Sequence, residues 1–238
     1  AAALILCAER PVLRLQQLIG HPQSWLIDPI GPVGYRRVTT PVALQGALAA
    51  HALTAPPYRS FSGVGSRVGE GGLEDYIISG PTRFSRLPRR LADEAAAAMK
   101  PVLEAFCGCE LAPAPLVHGL RTYLPGATLA PHLDWPDRWV VSATLCVQRN
   151  ATLPPWPVEL RGAGRGETAS VALQEGDALL YEGSRLWHGR PAPLRGGEYV
   201  GVFVGFVPVG YPAQAGVATR AIVHGVRRVK GAAVRWLG

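Results

Sequence analysis

The sequence predicts an α+β fold in which N-terminal helices pack on one sheet of a β sandwich or barrel. Three observations lead there. Helical periodicity is concentrated in the first 110 residues, apart from a basic tail. Short β-branched runs broken by Pro and Gly follow residue 111. The chain has 238 residues and 48 % hydrophobic composition, enough for one good core with decorations. The expected division is 1–110 as a helical and loop extension, 111–210 as the core and 211–238 as a tail.

Residues 41–53 place apolar side chains at helical spacing behind Pro41, a residue suited to a first turn. Residues 60–72 are glycine-rich without the Gly-Lys-Ser/Thr ending of a phosphate loop, which predicts a surface loop or, in a sharper reading, a substrate lid. An alanine-rich helix is expected from Leu87 to Phe106, ended by Gly108, with a bend at Lys100-Pro101. Strands are expected at Val117–Leu124, Trp139–Val147, Ser170–Leu173, Ala178–Tyr181 and Tyr199–Val207. In the tail, Ile222, Val226, Val229, Ala233 and Leu237 form one helical stripe, with Arg220, Arg227, Arg228, Lys230 and Arg235 largely off it.

The net charge of +7 is uneven: residues 1–110 carry eleven Lys/Arg against nine Asp/Glu, residues 111–210 eight against eight, and residues 211–238 five against none. A neutral middle segment argues against a nucleic-acid enzyme, which shows a basic face around its site. The tail's apolar stripe is expected to dock on the chain's own core sooner than on a membrane or partner, while its basic residues suit an acidic partner or an anionic membrane surface, and the tail is expected to be dispensable for the site in the middle segment. No run approaches the roughly 20 apolar residues that span a bilayer, so a soluble or peripheral protein is expected. The short apolar start, Ala1 to Leu6, leaves room for a removed targeting segment, organellar import included. Cys7, Cys107, Cys109 and Cys146 lack metal-finger spacing, and Cys-x-Cys is an awkward disulfide pair; all four are expected reduced and mostly buried.

The informative stretch runs from Arg121 to Asp134. On an extended chain residues two apart face the same side, so His132 and Asp134 can aim at one ion. His188, 54 positions after Asp134, is the candidate third ligand. Two imidazoles and one carboxylate on one side of a metal leave the opposite positions free, which suits non-haem iron(II) that binds a co-substrate and oxygen together. A structural zinc site would be closed instead. His-x-Asp alone arises often by chance, and each histidine alone reads as a hydrogen-bonded core or surface residue. The combination carries the specificity.

With these residues in view, the chain resembles the iron(II)/2-oxoglutarate dioxygenases, in particular the prolyl 4-hydroxylase-like group. Tyr123-Leu124-Pro125-Gly126 followed by His132-Leu133-Asp134 is similar to that group's Tyr-x-x-Gly lead into His-x-Asp. Residues 156–160, 176–183 and His188-Gly189-Arg190 are similar to its later strands, so the resemblance runs from Leu87 to about Pro208. It implies a double-stranded β-helix (jelly-roll, cupin-like) core, iron(II) held by His132, Asp134 and His188, and 2-oxoglutarate as co-substrate, with room for ascorbate. It implies oxidative decarboxylation of 2-oxoglutarate to succinate coupled to hydroxylation of a C–H bond in a protein, peptide or small molecule. Tyr123 and Thr144 would line the co-substrate pocket.

One departure stands out. The family places Arg or Lys about ten residues after the distal His to pair with the far carboxylate of 2-oxoglutarate; here residues 197–201 contain no base. Arg190, two residues past His188, would share its face on a regular strand and offer a bidentate fork. Arg195 is the alternative, in a turn-like Arg-Gly-Gly. The missing base keeps a second class open, a non-catalytic subunit that retains the fold within a larger assembly. A cupin-like isomerase or sugar-binding jelly roll shares the architecture but fits the order of motifs less well.

Overall fold

The structure, a computed structural model, describes residues 22–31, 34–54, 59–61, 77–150, 152, 154–162 and 168–237. The proposed lid at 60–72 lies outside them beyond residue 61, as does Cys7. Two antiparallel sheets form the core. In chain order the strands are β1 (Tyr35–Thr39), β2 (Arg59–Phe61), β3 (Ile78–Ser79), β4 (Thr82–Ser85), β5 (Leu116–Val117), β6 (Leu120–Tyr123), β7 (Thr128–His132), β8 (Val141–Arg149), β9 (Val158–Arg161), β10 (Thr168–Val171), β11 (Asp177–Tyr181), β12 (Trp187–Arg190) and β13 (Tyr199–Phe206). The larger sheet is ordered β1-β11-β8-β13-β6-β4-β2, with β5 also paired to β13, and the smaller is β10-β9-β12-β7-β3. From β6 to β13 the chain passes repeatedly between the sheets, with β7, the β9–β10 pair and β12 in the small one and β6, β8, β11 and β13 in the large, the double-stranded β-helix arrangement expected from the resemblance.

Period-two alternation divides the buried residues into two cores. On β8, Val141, Ala143, Leu145 and Val147 face the helix side, while Cys146, and with it Ser142 and Thr144, face the interior between the sheets. Against the outer face pack helices α1 (Val42–Thr54) and α2 (Arg89–Cys107). Helix α2 buries Ala95, Met99, Leu103 and Phe106, one stripe at helical spacing. It continues through Pro101 and ends at Gly108, whose φ of 65° lets its N–H bond to the Glu104 carbonyl at 2.8 Å.

That reversal overturns one expectation. Cys107 and Cys109 form a disulfide, with Cα atoms 5.2 Å apart, instead of standing reduced. The left-handed Gly108 between them folds the chain back within the Cα range a disulfide spans, which an extended Cys-x-Cys would not reach with suitably aimed side chains. Cys146 is reduced and buried, as expected.

Strands β1 to β4 were not signalled by the sequence. They hold two to five residues each, and β1 shows no clean alternation, reading half-buried, exposed, exposed, half-buried, exposed. Pairing with longer neighbours, such as Tyr35 to Thr39 against Tyr181 to Asp177, forms them. The tail is a helix, α3 (Val217–Leu237), with Val223 and Val226 buried. Among the described residues, no helix is long and apolar enough to cross a membrane.

Candidate metal centre

Sheet register brings the candidate ligands together. His132, the last residue of β7, pairs directly with His188 on β12, and their rings lie 4.3 Å apart. Just past β7, the Asp134 N–H donates to the Gly183 carbonyl at 2.9 Å, which turns its side chain toward both rings. Asp134 Oδ1 lies 3.9 Å from His132 Nε2 and 3.5 Å from His188 Nε2. One ligand atom from each residue thus falls within 4.8 Å of the others.

The donor chemistry fits a divalent metal. His132 Nδ1 donates to the Ala130 carbonyl at 2.9 Å and His188 Nδ1 to the Leu186 carbonyl at 2.8 Å. A nitrogen that donates to a carbonyl carries the ring proton, so both Nε2 lone pairs are left for a metal. Asp134 Oδ2 accepts from Ser142 Oγ at 2.8 Å, so Oδ1 alone faces the histidines. Burial favours the neutral carboxyl, but His188 and His132 together with the Ser142 hydrogen bond outweigh it and hold Asp134 below the usual carboxylate range. Gly183 completes the cradle, since a Cβ there would overlap Asp134 Oδ2 and Ser142 Oγ.

A cavity of about 90 Å³ opens beside the ligands. Its walls are mostly apolar and aromatic, including Leu129, Trp135, Trp139, Tyr181 and Phe203, with His118 and Arg121 as further polar members. Tyr123 lines it too, edge-on to Trp156 at 5.1 Å. Thr144 is buried on β8, opposite Leu179 on one side and Phe203 on the other.

Arg190 and Arg195 separate sharply. Arg195 is exposed in the turn before β13. Arg190 is 3 % exposed, its guanidinium carbon 4.6 Å from the Trp156 ring centre and 4.2 Å from that of Tyr199. Its Nη2 donates to the Tyr199 hydroxyl at 2.7 Å and its Nη1 to the Trp156 carbonyl. Among the described residues no Asp or Glu forms an ion pair with it. The register shift between His188 and Arg190 breaks the regular strand on which their shared face was expected. Tyr199, within the region where the family places its base, hydrogen-bonds the arginine instead.

Ser142, Gly183 and Arg121 were missed by sequence reasoning. Ser142 had a usable signal, being two residues before Thr144 on one strand face. Gly183 matters through its closeness to Asp134 and Ser142, and Arg121 lines the cavity, both tertiary relationships.

A scan of protein-family models finds no match to the chain, nor does a search of curated proteins. Solved structures do match. A prolyl-4-hydroxylase from Pseudomonas putida superposes with TM-score 0.53 at 19 % identity, covering 75 % of this chain and 95 % of that one. A 2OG-Fe(II) oxygenase-family oxidoreductase from Burkholderia pseudomallei gives 0.50 at 13 % identity over 74 % and 84 %. A prolyl hydroxylase from Trichoplax adhaerens, in complex with a hypoxia inducible factor peptide fragment, gives 0.52 at 11 % identity over 86 % and 97 %. The chain therefore shares the double-stranded β-helix fold of these structures, with a His-Asp-His cluster set into it.

Proposed function

We propose that the chain is an iron(II)- and 2-oxoglutarate-dependent dioxygenase that hydroxylates a C–H bond of a protein, peptide or small molecule. The observation that carries this reading is the convergence of His132 Nε2, His188 Nε2 and Asp134 Oδ1, with both ring protons committed elsewhere. Iron(II) and 2-oxoglutarate, when bound, would supply the oxygen activation and the oxidation of the C–H bond.

The chain's own residues have separable roles. The triad holds the metal from one side. Tyr123 and Thr144 shape the co-substrate pocket, and Arg190 anchors the far carboxylate of 2-oxoglutarate. A buried guanidinium without an acidic partner among the described residues calls for an anion, because an uncompensated buried charge is costly. The apolar walls around the metal exclude water and suit an uncharged part of the substrate. The Trichoplax neighbour's peptide keeps peptides among the candidates. Helix α3, with its basic residues, is proposed as a docking surface for an acidic partner or an anionic membrane.

One observation favours a second reading, a non-catalytic subunit of a larger assembly: Arg190 is already bonded to Trp156 and Tyr199 and does not line the cavity. Succinate formation decides between them without knowledge of the prime substrate. The enzyme reading expects slow, iron-dependent succinate formation that vanishes in Asp134→Ala. It fails if metal-loaded protein neither binds 2-oxoglutarate by calorimetry nor shows an iron–keto acid charge-transfer band under anaerobic conditions.

A further inference from the structure

Asp134 is gripped from a part of the chain that no motif includes. Gln23 lies in a short helical turn over 22–26, 111 positions before Asp134, and is 4 % exposed. Its Nε2 lies 2.8 Å from the Asp134 carbonyl and 2.8 Å from the Ser184 carbonyl. An amide nitrogen has two hydrogens, so one side chain spans both oxygens, and two facing carbonyls dictate that the nitrogen points at them.

The rest of residues 22–31 is fastened to the same loop. Ser24 Oγ donates to the Arg185 carbonyl at 2.7 Å. The N–H groups of Ile30 and Gly31 donate to Glu182 Oε1 at 3.2 and 2.9 Å. Glu182 is fully buried, with Oε2 3.6 Å from Arg185 Nη1. These contacts bracket Gly183, whose carbonyl receives the Asp134 N–H. Midway along the segment, Asp28 is tied to the start of α3: its N–H donates to Thr219 Oγ1 at 3.0 Å, and its Oδ2 accepts from the Gly216 N–H at 2.7 Å. Thr219 is completely buried.

We propose that residues 22–31 form a strap that positions the metal carboxylate, with Gln23 as the positioning residue and the Asp28–Thr219 tie holding the strap against α3. The inference rests on the metal-site reading above. Asp134 lies beyond the last β7 ladder bond, so its main chain is set by the Gly183 carbonyl on one side and by Gln23 on the other. Removing the amide leaves the buried Ser184 carbonyl and the part-buried Asp134 carbonyl short of a donor and frees the link between β7 and the 182–185 loop. The tail and the metal centre are then coupled, which replaces the expectation that the tail is dispensable for the site.

The test is metal binding by the full chain, with Mn(II) and Co(II) as probes, alongside the thermal midpoint of the metal-free protein. Gln23→Ala should weaken metal binding by about 10-fold or more and alter the cobalt visible bands, as loss of outer support does elsewhere. Gln23→Glu, which turns acceptors toward both carbonyls, should weaken it further. Thr219→Val, remote from the metal, should give a smaller loss in the same direction and serves as the deciding variant if Gln23→Ala does not fold. A merely structural strap would lower the thermal midpoint while the folded fraction kept the parent's affinity and cobalt spectrum; that result in Gln23→Ala or, failing its folding, in Thr219→Val overturns the proposal. Failure of the parent chain itself to bind either metal would sink the metal-site reading instead.

Discussion

Ser142 Oγ donates to Asp134 Oδ2 at 2.8 Å and thereby leaves a single carboxylate oxygen facing the two histidines. The pair lies eight residues apart in sequence, with the donor on β8 of the large sheet and the acceptor just past β7 of the small one. The contact therefore bridges the two sheets.

Ser142→Ala is expected to weaken Mn(II) or Co(II) binding by about 10-fold to 100-fold, the usual cost of removing a partner that orients a metal ligand. Gly183→Ala should be worse, because its Cβ would displace Asp134 and Ser142 together. Calorimetric titration of the folded variants checks both. Parent-like affinity in Ser142→Ala would mean that Asp134 is oriented without it.

Arg190→Ala should weaken 2-oxoglutarate binding by on the order of 2–4 kcal/mol, the cost of leaving a charged group without its bidentate partner. Arg195→Ala should leave it unchanged, since that side chain is exposed. The measurement is co-substrate affinity in metal-loaded protein. An unchanged affinity in Arg190→Ala would favour the non-catalytic subunit.

The two faces of β8 should respond differently. Leu145→Ala removes a fully buried side chain from the helix-side core and should cost about 2–5 kcal/mol of stability, with parent-like metal affinity in the folded protein. Thr144→Val, on the inner face, should do little to stability and weaken 2-oxoglutarate binding. Denaturant unfolding and calorimetry read the two effects, and matching profiles for both variants would refute the assignment of faces.

Burial pushes the Cys146 thiol up from its usual 9.0 to about 11. The native protein then holds a proton that the unfolded chain releases near pH 9.0, so this group lowers stability as pH rises from about 9 to 11 and has no such effect below. Peptide-resolved mass spectrometry after iodoacetamide at pH 8 should find Cys146 unmodified in native protein and modified once unfolded. Modification of native protein at the unfolded rate would contradict its burial.

Much of the site was legible because it is local. His132 and Asp134 are two apart, and the residues around His188 resemble a later strand of one family. Helix α2 declared itself through its apolar stripe and Gly108. The Cys107–Cys109 disulfide did not, because it depends on the left-handed backbone of Gly108, which spacing alone does not reveal.

The sequence by itself pointed to the strand at β8, the two main helices, the three candidate ligands and the lack of a base in residues 197–201. The strand, the helices and the His132–Asp134 pair follow from residue type and short-range periodicity, and His188 from the resemblance of its surroundings. Tertiary structure decided what faces what. The His188–Arg190 register shift set Arg190 between Trp156 and Tyr199, and pairing across the barrel brought Ser142 to Asp134. Packing of residues 22–31 on the sheets brought Gln23 across 111 residues to the Asp134 carbonyl. Such contacts join positions with no fixed sequence spacing, so only closure of the two sheets and the seating of residues 22–31 on them determine which polar groups meet.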